Sequence, residues 1–128
     1  MALPASIEKL IKAHDPKIAD VRFTDPLGTW QHCSIPIEDL EGALKSGIGF
    51  DGSSIKGFQQ IYDSDLLLVL QPESAVLDPF YQTPTLSLIA TIHDPEKGVR
   101  YSRDPRYIAE KAEAFLKDSG IAETSYWG

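Results

Sequence analysis

The chain contains 128 residues, of which 42% are hydrophobic and 24% are charged, a composition typical of one folded domain and not of a disordered segment. Twelve basic and nineteen acidic residues give a net charge of −7, so neither nucleic acid nor an anionic membrane is expected as a partner. The one cysteine, Cys33, has no partner for an internal disulfide, and no signal peptide is recognisable, which together predict a cytoplasmic protein.

The N-terminal part of the chain predicts a helix and then a strand. Apolar residues recur at helical spacing between Leu3 and Ile11, with Ser6 as a candidate N-cap and Pro16 beyond the end. Apolar and polar residues then alternate over 19–24, which indicates a strand with one buried face and one solvated face.

A β-hairpin is expected to follow. The segment Asp25-Pro26-Leu27-Gly28 has aspartate, proline and glycine at the positions where β-turns favour them. Residues 30–37 would then form the returning strand of the hairpin. Residues 37–44 show the apolar spacing of a short amphipathic helix.

Between Gly47 and Phe58, four glycines and two serines surround Asp51. Each glycine inside a helix or strand costs roughly 0.5–1 kcal/mol relative to alanine, so this segment predicts a loop. Short side chains would let a ligand or a neighbouring chain approach the Asp51 carboxylate, and Gly49, Gly52 and Ser53 are expected to shape the loop. An inert surface loop explains the composition equally well at this point.

Three other motifs in the chain do not by themselves indicate a binding site. The glycines match a dinucleotide-binding pattern, but that pattern needs a preceding strand and a following helix, and an aspartate inside it would repel phosphate. The acidic pair Asp63 and Asp65 suits a turn before a buried strand as well as a cation site. The three histidines lack the spacing of zinc ligands: His14, His32 and His93.

The C-terminal half predicts strands and a final helix. The apolar run 66–70 indicates a central strand buried on both faces, 74–77 another short strand, and the alternation over 86–93 a further strand. Asp104 and Pro105 then suit the start of a helix. That helix would carry an apolar stripe and end near glycine: Ile108, Ala112, Phe115, Leu116 and Gly120. The order of elements predicts a mixed α+β domain.

Five motifs follow one another along the chain: Phe50-Asp51-Gly52-Ser53-Ser54-Ile55, Ser64-Asp65, Ala75-Val76-Leu77-Asp78-Pro79-Phe80, Tyr101-Ser102-Arg103-Asp104-Pro105-Arg106 and Gly120-Ile121-Ala122. In these motifs and their order, from about residue 21 onward, the chain resembles the N-terminal domain of bacterial type I glutamine synthetase. The resemblance implies a β-grasp fold, a mixed sheet packed on helices. Residues 1–103 would form this domain, and residues 104–128 a helix and the start of a connection to a catalytic domain that is absent from this chain.

The resemblance also implies an activity for the longer parent protein. Glutamine synthetases make glutamine from glutamate, ammonia and ATP through a γ-glutamyl phosphate, with Mg²⁺ or Mn²⁺. The family's metal and ATP ligands lie in the catalytic domain, so this chain alone is expected to bind neither group and to be inactive. The family assembles as a homo-oligomeric ring, a dodecamer of two hexamers, with active sites between subunits.

Carried over by position, the resemblance assigns roles to three residues. Asp51 would bind ammonium and remove its proton, Ser54 would organise the glutamate and ammonia end of the site, and Asp65 would contact the flap that closes over glutamate. One departure is Phe58, where many relatives have tryptophan; the position stays aromatic.

Two alternatives remain open. A related ligase could join glutamate to a larger amine, although the intact motif 51–54 argues against the reshaped pocket that such an amine would need. The chain could also be a stand-alone β-grasp interaction module without catalysis.

Overall fold

The computed structural model describes residues 3–58 and 65–126. Its elements are α1 (Ala5–His14), β1 (Ile18–Thr24), β2 (Trp30–Pro36), a 3₁₀ turn (Ile37–Asp39) leading into α2 (Leu40–Ser46), β3 (Ile48–Asp51), a second 3₁₀ turn (Gly52–Ser54), β4 (Asp65–Asp78), β5 (Thr85–Asp94), β6 (Val99–Arg100) and α3 (Pro105–Asp118). The strands form a sheet in the order β2-β1-β5-β4-β3, with β6 paired to β5. Because β1 and β5 run parallel while the other pairs are antiparallel, the sheet is mixed, and the predicted α+β class is confirmed.

The core lies between one face of this sheet and the helices α1 and α2, both of which contact β4. Alternate residues of the central strands point inward, so apolar side chains from neighbouring strands meet on this face. The fully or nearly fully buried apolar residues are Ile7, Ala19, Val21, Phe23, Leu40, Ala43, Phe58, Leu66, Leu68, Leu70, Leu86, Leu88, Ala90, Ile92 and Tyr101. Within the described ranges, no helix is both long and apolar enough to cross a membrane.

The predicted hairpin is confirmed. β1 and β2 pair antiparallel from Ile18 opposite Pro36 to Thr24 opposite Trp30. The Gly28 amide closes the turn by donating to the Asp25 carbonyl at 3.0 Å. The carboxylate of Asp25 accepts two further amide hydrogen bonds within the turn, which explains why aspartate suits its first position.

The start of α1 differs from the prediction. The helix begins at Ala5, and the amide of Glu8 already donates to the carbonyl of Pro4 at 3.0 Å. Ser6 therefore lies inside the first turn, and no side chain caps the helix. Proline suits this entry because its φ is fixed near the helical value.

The long strand β4 replaces two predicted strands. Residues 74–77 continue the strand that contains 66–70, and the register with β5 shifts between Gln71 and Val76. Pro72 has no amide hydrogen for the ladder, and Ser74 compensates by donating to the Gln71 carbonyl and accepting from the Ile89 amide. On the second face of this strand, Leu67 and Val69 are half-buried, not fully buried as predicted.

The outer face of β1 is not solvated as the alternation predicts, because Asp20 is only 1% exposed. Its carboxylate binds Arg22 Nε at 3.0 Å and Ser34 Oγ at 2.8 Å, and it lies 2.7 Å from His32 Nδ1. Arg22 also binds Asp78. Burial raises the pKa of Asp20, but hydrogen bonds from His32, Ser34 and Arg22 outweigh it, so the pKa is lowered.

The predicted final helix is confirmed at both ends. The Asp104 carboxylate accepts a hydrogen bond from the Arg106 amide at 3.0 Å, and Gly120 has a φ of +72° just beyond the end. Its apolar stripe does not join the core, since Ile108 is 51% and Phe115 72% exposed. The apolar side chains of α3 therefore lie largely on the surface of the described part of the chain.

Candidate functional site

The segment predicted as a loop around Asp51 begins as a strand. β3 is a four-residue edge strand that pairs antiparallel with β4. A short edge strand tolerates Gly49 because it is held on one side only, and there is open space around this residue. Phe50 points inward and stacks at a tilt on Phe23, with ring centroids 5.1 Å apart. Asp51 therefore points to the outer, exposed face.

Two glycines other than Gly49 and Gly52 set the backbone conformation just before β3 and after the second 3₁₀ turn. Gly47 has a φ of +75°, and a Cβ atom there would lie 2.8 Å from the Leu68 carbonyl oxygen. Gly57 has a φ of +91°, and a Cβ atom would lie 3.3 Å from Pro26. Both positions require a conformation that other residues rarely adopt, and the first is also blocked by backbone.

Ser53 holds the Asp51 carboxylate in a defined orientation. Asp51 Oδ1 accepts hydrogen bonds from the Ser53 amide at 2.9 Å and from Ser53 Oγ at 2.7 Å. Through the amide contact Asp51 caps the 3₁₀ turn that follows β3. Gly52 is buried in this turn, whereas Ser54, three residues after Asp51, is exposed.

Asp51 and Asp65 lie directly opposite each other across the β3–β4 ladder. Directly opposed residues share one face, with Cβ atoms about 4.5–5.5 Å apart, and like charges in this arrangement are destabilising. Both residues are exposed. The pair concentrates negative charge at one end of the sheet, where it can attract a small cation. Asp63 and Ser64, which complete the predicted acidic turn, lie outside the described residues.

Two residues for which the sequence predicts no role hold the end of the segment 52–58 that lies farther from Asp51. Tyr101 Oη donates to the Phe58 carbonyl at 2.7 Å, and Arg103 Nη1 donates to the same oxygen at 2.9 Å. Both belong to the segment 101–106 that carries the family resemblance, but nothing in their spacing indicates that they reach back to Phe58.

The other candidate ligands do not converge. His32 faces Asp20 on the hairpin, and His93 lies on β5 beside Thr91, with its Nε2 3.2 Å from Thr91 Oγ1. Over residues 3–58 and 65–126, no group of three or more histidine, cysteine or acidic side chains could hold a metal ion.

Comparison with known proteins places the chain in a family. The family model described as the glutamine synthetase β-grasp domain matches residues 15–95. Glutamine synthetase from Aquifex aeolicus is 46% identical over 98% of this chain and 27% of that protein. The 3-hydroxylaminophenol mutase of Cupriavidus pinatubonensis is 45% identical over 97% of this chain and 26% of that protein. This chain thus spans about a quarter of the length of these relatives.

Solved structures show the same fold. The cryo-EM structure of Plasmodium falciparum glutamine synthetase superimposes with a TM-score of 0.75 and 26% identity, covering 94% of this chain and 24% of that one. A GmaS/ADP complex has a TM-score of 0.76 over 87% of this chain and 25% of that one, and its 22% identity bears on the fold alone. The predicted β-grasp fold is confirmed. Since the family match covers more than half of its residues, the chain belongs to the glutamine synthetase β-grasp domain family.

Proposed function

We propose that this chain is the N-terminal domain of a glutamine synthetase that makes glutamine from glutamate, ammonia and ATP through a γ-glutamyl phosphate. The observation that carries the proposal is the exposed carboxylate pair at the end of β3 and β4, with Asp51 oriented by Ser53. Such a pair suits a small cation, and ammonium is the cationic substrate of this reaction.

The chemistry assigned to Asp51 follows from the charge of ammonium. The ion has no free electron pair until it loses a proton, so it cannot attack an acyl phosphate as it stands. A carboxylate attracts the cation and can accept that proton. The nitrogen then bonds to the acyl carbon, the bond from that carbon to the phosphate oxygen breaks, and the nitrogen loses a second proton to solvent to give the amide. A positioned general base typically contributes about 10²–10⁴-fold to the rate.

Two neighbours complete the proposed group. Ser54, exposed three residues after Asp51, would organise the glutamate and ammonia end of the site, and Asp65 would contact the flap that closes over glutamate. Closure of this kind protects a reactive acyl phosphate from water. Gly49, Gly52 and Ser53 would keep the approach to Asp51 open and its carboxylate oriented.

We further propose that the site is shared between subunits. Asp51 lies on the edge strand β3 and Asp65 at the start of the adjacent strand β4, both exposed, where a neighbouring chain can reach them. The described residues do not provide a ligand cluster for Mg²⁺ or Mn²⁺, so the proposal assigns these ions and ATP to the catalytic domain of the full-length protein. The assembly would be the family's homo-oligomeric ring, a dodecamer of two hexamers, in the cytoplasm.

The helix α3 supports a domain boundary near residues 103 and 104. Its exposed apolar side chains, Ile108 and Phe115, need cover, and a groove of about 550 Å³ runs along the same helix beside Ala112 and Leu116. We propose that this helix packs on the catalytic domain that follows it. The 128-residue chain alone would then be a folded but inactive part.

Mixed oligomers test the shared site. Two variants of the full-length protein, one with Asp51→Asn and one with a disabled ATP site, should each be inactive alone. In oligomers assembled from both, about one site in four should pair an intact loop with an intact catalytic domain. Glutamine synthesis should therefore reappear on mixing. Mixed oligomers with no activity, confirmed by mass to contain both chains, would contradict the shared site.

The mutase relative supplies the competing function, because its identity to this chain nearly equals that of the synthetase. The full-length protein separates the two when it is assayed with glutamate, ammonium and ATP, and in parallel with 3-hydroxylaminophenol without ATP. We expect ATP-dependent glutamine formation. Rearrangement of 3-hydroxylaminophenol without any glutamine formation would overturn the proposal in favour of the mutase.

A further inference from the structure

The segment that presents Asp51 is held at its far end by a clamp on one backbone oxygen. The Phe58 carbonyl accepts hydrogen bonds from Tyr101 Oη at 2.7 Å and Arg103 Nη1 at 2.9 Å, and Arg103 also reaches the Gly57 carbonyl at 3.3 Å. The Phe58 and Tyr101 rings meet edge to face, with centroids 5.5 Å apart and an angle of 84°. Phe58 is 1% exposed and its contact with Tyr101 is buried, whereas Arg103 reaches the same carbonyl from the exposed side.

The turn that carries the clamp is fixed to the centre of the sheet. The Tyr101 amide donates to the Ile92 carbonyl of β5 at 2.8 Å. Asp104, fully buried, accepts a hydrogen bond from the Ile92 amide at 3.1 Å and also caps α3. Tyr101 and Arg103 therefore project from a turn held on both sides, which is a rigid base for positioning another segment.

Asp51 and Phe58 are connected by a short, continuously turned segment. The Ile55 amide donates to the Gly52 carbonyl at 3.2 Å, and the Phe58 amide donates to the Ile55 carbonyl at 3.1 Å. The near end is fixed by the β3–β4 ladder and the far end by the clamp. Because the segment between them is short and turned, a shift of the Phe58 backbone is expected to shift Asp51 as well.

We propose that Tyr101 and Arg103 are positioning residues for Asp51. By holding the Phe58 carbonyl, they fix the place where the Asp51 carboxylate meets ammonium. This inference rests on the proposed function of Asp51. Neither residue needs to touch a substrate. Their effect is expected on the use of ammonium and not on the binding of ATP.

The test uses the full-length protein with Tyr101→Phe, which keeps the ring contact and removes one hydrogen bond, and with Arg103→Gln. One such bond corresponds to about a two- to tenfold effect, so KM for ammonium should rise by about this factor in each variant. KM for ATP should stay unchanged. Amide hydrogen exchange over residues 52–58 should accelerate in both variants.

Tyr107→Phe is the matched control, because it removes the same hydroxyl from a tyrosine on α3 whose ring faces Arg100 and Lys111. Tyr107→Phe should change neither KM for ammonium nor amide hydrogen exchange over residues 52–58. Arg103→Lys, which keeps a cationic donor, should recover part of the loss seen with Arg103→Gln.

Asp51→Asn, measured in parallel, separates the two proposals. If Asp51→Asn impairs the use of ammonium while Tyr101→Phe and Arg103→Gln leave KM for ammonium unchanged, the clamp has no positioning role. If Asp51→Asn itself has no effect, the proposed function fails, and the positioning role fails with it. A uniform loss of rate with every KM unchanged and with unchanged hydrogen exchange over residues 52–58 would indicate a loss of folded protein and would also overturn the inference.

Discussion

Asp51 and Asp65 face each other across two strands as a pair of like charges on the exposed side of the sheet. In a domain selected for stability alone, one of them would be replaced by a neutral or basic residue, because opposed like charges cost stability. An opposed pair of this kind fits the proposed role of Asp51, because the same two carboxylates would attract ammonium.

Asp65→Asn should separate stability from function. Removal of one charge from the pair should raise the free energy of unfolding by about 0.2–1 kcal/mol, while glutamine synthesis by the full-length protein falls. Urea unfolding and a glutamine assay measure the two effects. Glu73→Gln, at an exposed position of β4 outside this pair, is the control and should change neither. A less stable Asp65→Asn variant would show that the two carboxylates do not repel each other.

Gly47→Ala should destabilise the domain more than Gly28→Ala. Both positions have positive φ, +75° and +86°, so both variants carry the cost of a backbone conformation that residues with a Cβ rarely adopt, about 1–3 kcal/mol. Only the first would also place a Cβ atom 2.8 Å from the Leu68 carbonyl, whereas the space around Gly28 is open. Urea unfolding compares the two variants directly. Equal losses would show that the backbone around Gly47 can move away.

The Asp20 network predicts a pH dependence of stability. The folded-state pKa of Asp20 lies below its ordinary value of 3.8, so its ionised form stabilises the fold above that pH. This contribution is lost as the pH falls below about 3.8 through the folded-state pKa. Asp20→Asn should be clearly less stable than the wild type at pH 7, and the difference should shrink towards pH 3. A difference that stays constant from pH 7 to pH 3 would contradict the assignment.

Phe115→Ser tests the proposed cover of α3. Because Phe115 is 72% exposed, the change should alter the stability of the 128-residue chain by no more than about 0.5 kcal/mol. The full-length protein should lose about 2 kcal/mol or more if the ring is buried against the catalytic domain. Lys117→Ser on the same helix serves as the control. Equal small losses of stability in the 128-residue chain and in the full-length protein would show that the Phe115 ring stays exposed in the full-length protein.

Sequence patterns predicted the regular parts of this fold well. The hairpin around the turn at Asp25, the strand β5 and the capped start of α3 each combine a local period with a recognisable turn or cap. Local chemistry decides such elements, so their residues are sufficient to indicate them.

Features that depend on distant contacts were not predictable. The sequence pattern predicts Asp20 as a solvated strand residue, whereas in the structure Ser34 and His32 of the next strand contact its carboxylate. The clamp on Phe58 joins residues more than forty positions apart, and only the sheet brings them together. The role proposed for Asp51 rests on a family resemblance, while its position opposite Asp65 follows from the register of β3 and β4.

The most direct test of the central claim is glutamine synthesis by full-length Asp51→Asn at limiting ammonium, with ATP affinity measured on the same preparation. Asn keeps the size of the side chain but neither attracts the cation nor accepts its proton. Asp39→Asn, which changes another exposed carboxylate, is the control. We expect a rate at least about 100-fold below wild type, with unchanged ATP affinity and a normal control. A rate equal to wild type at limiting ammonium would contradict the claim.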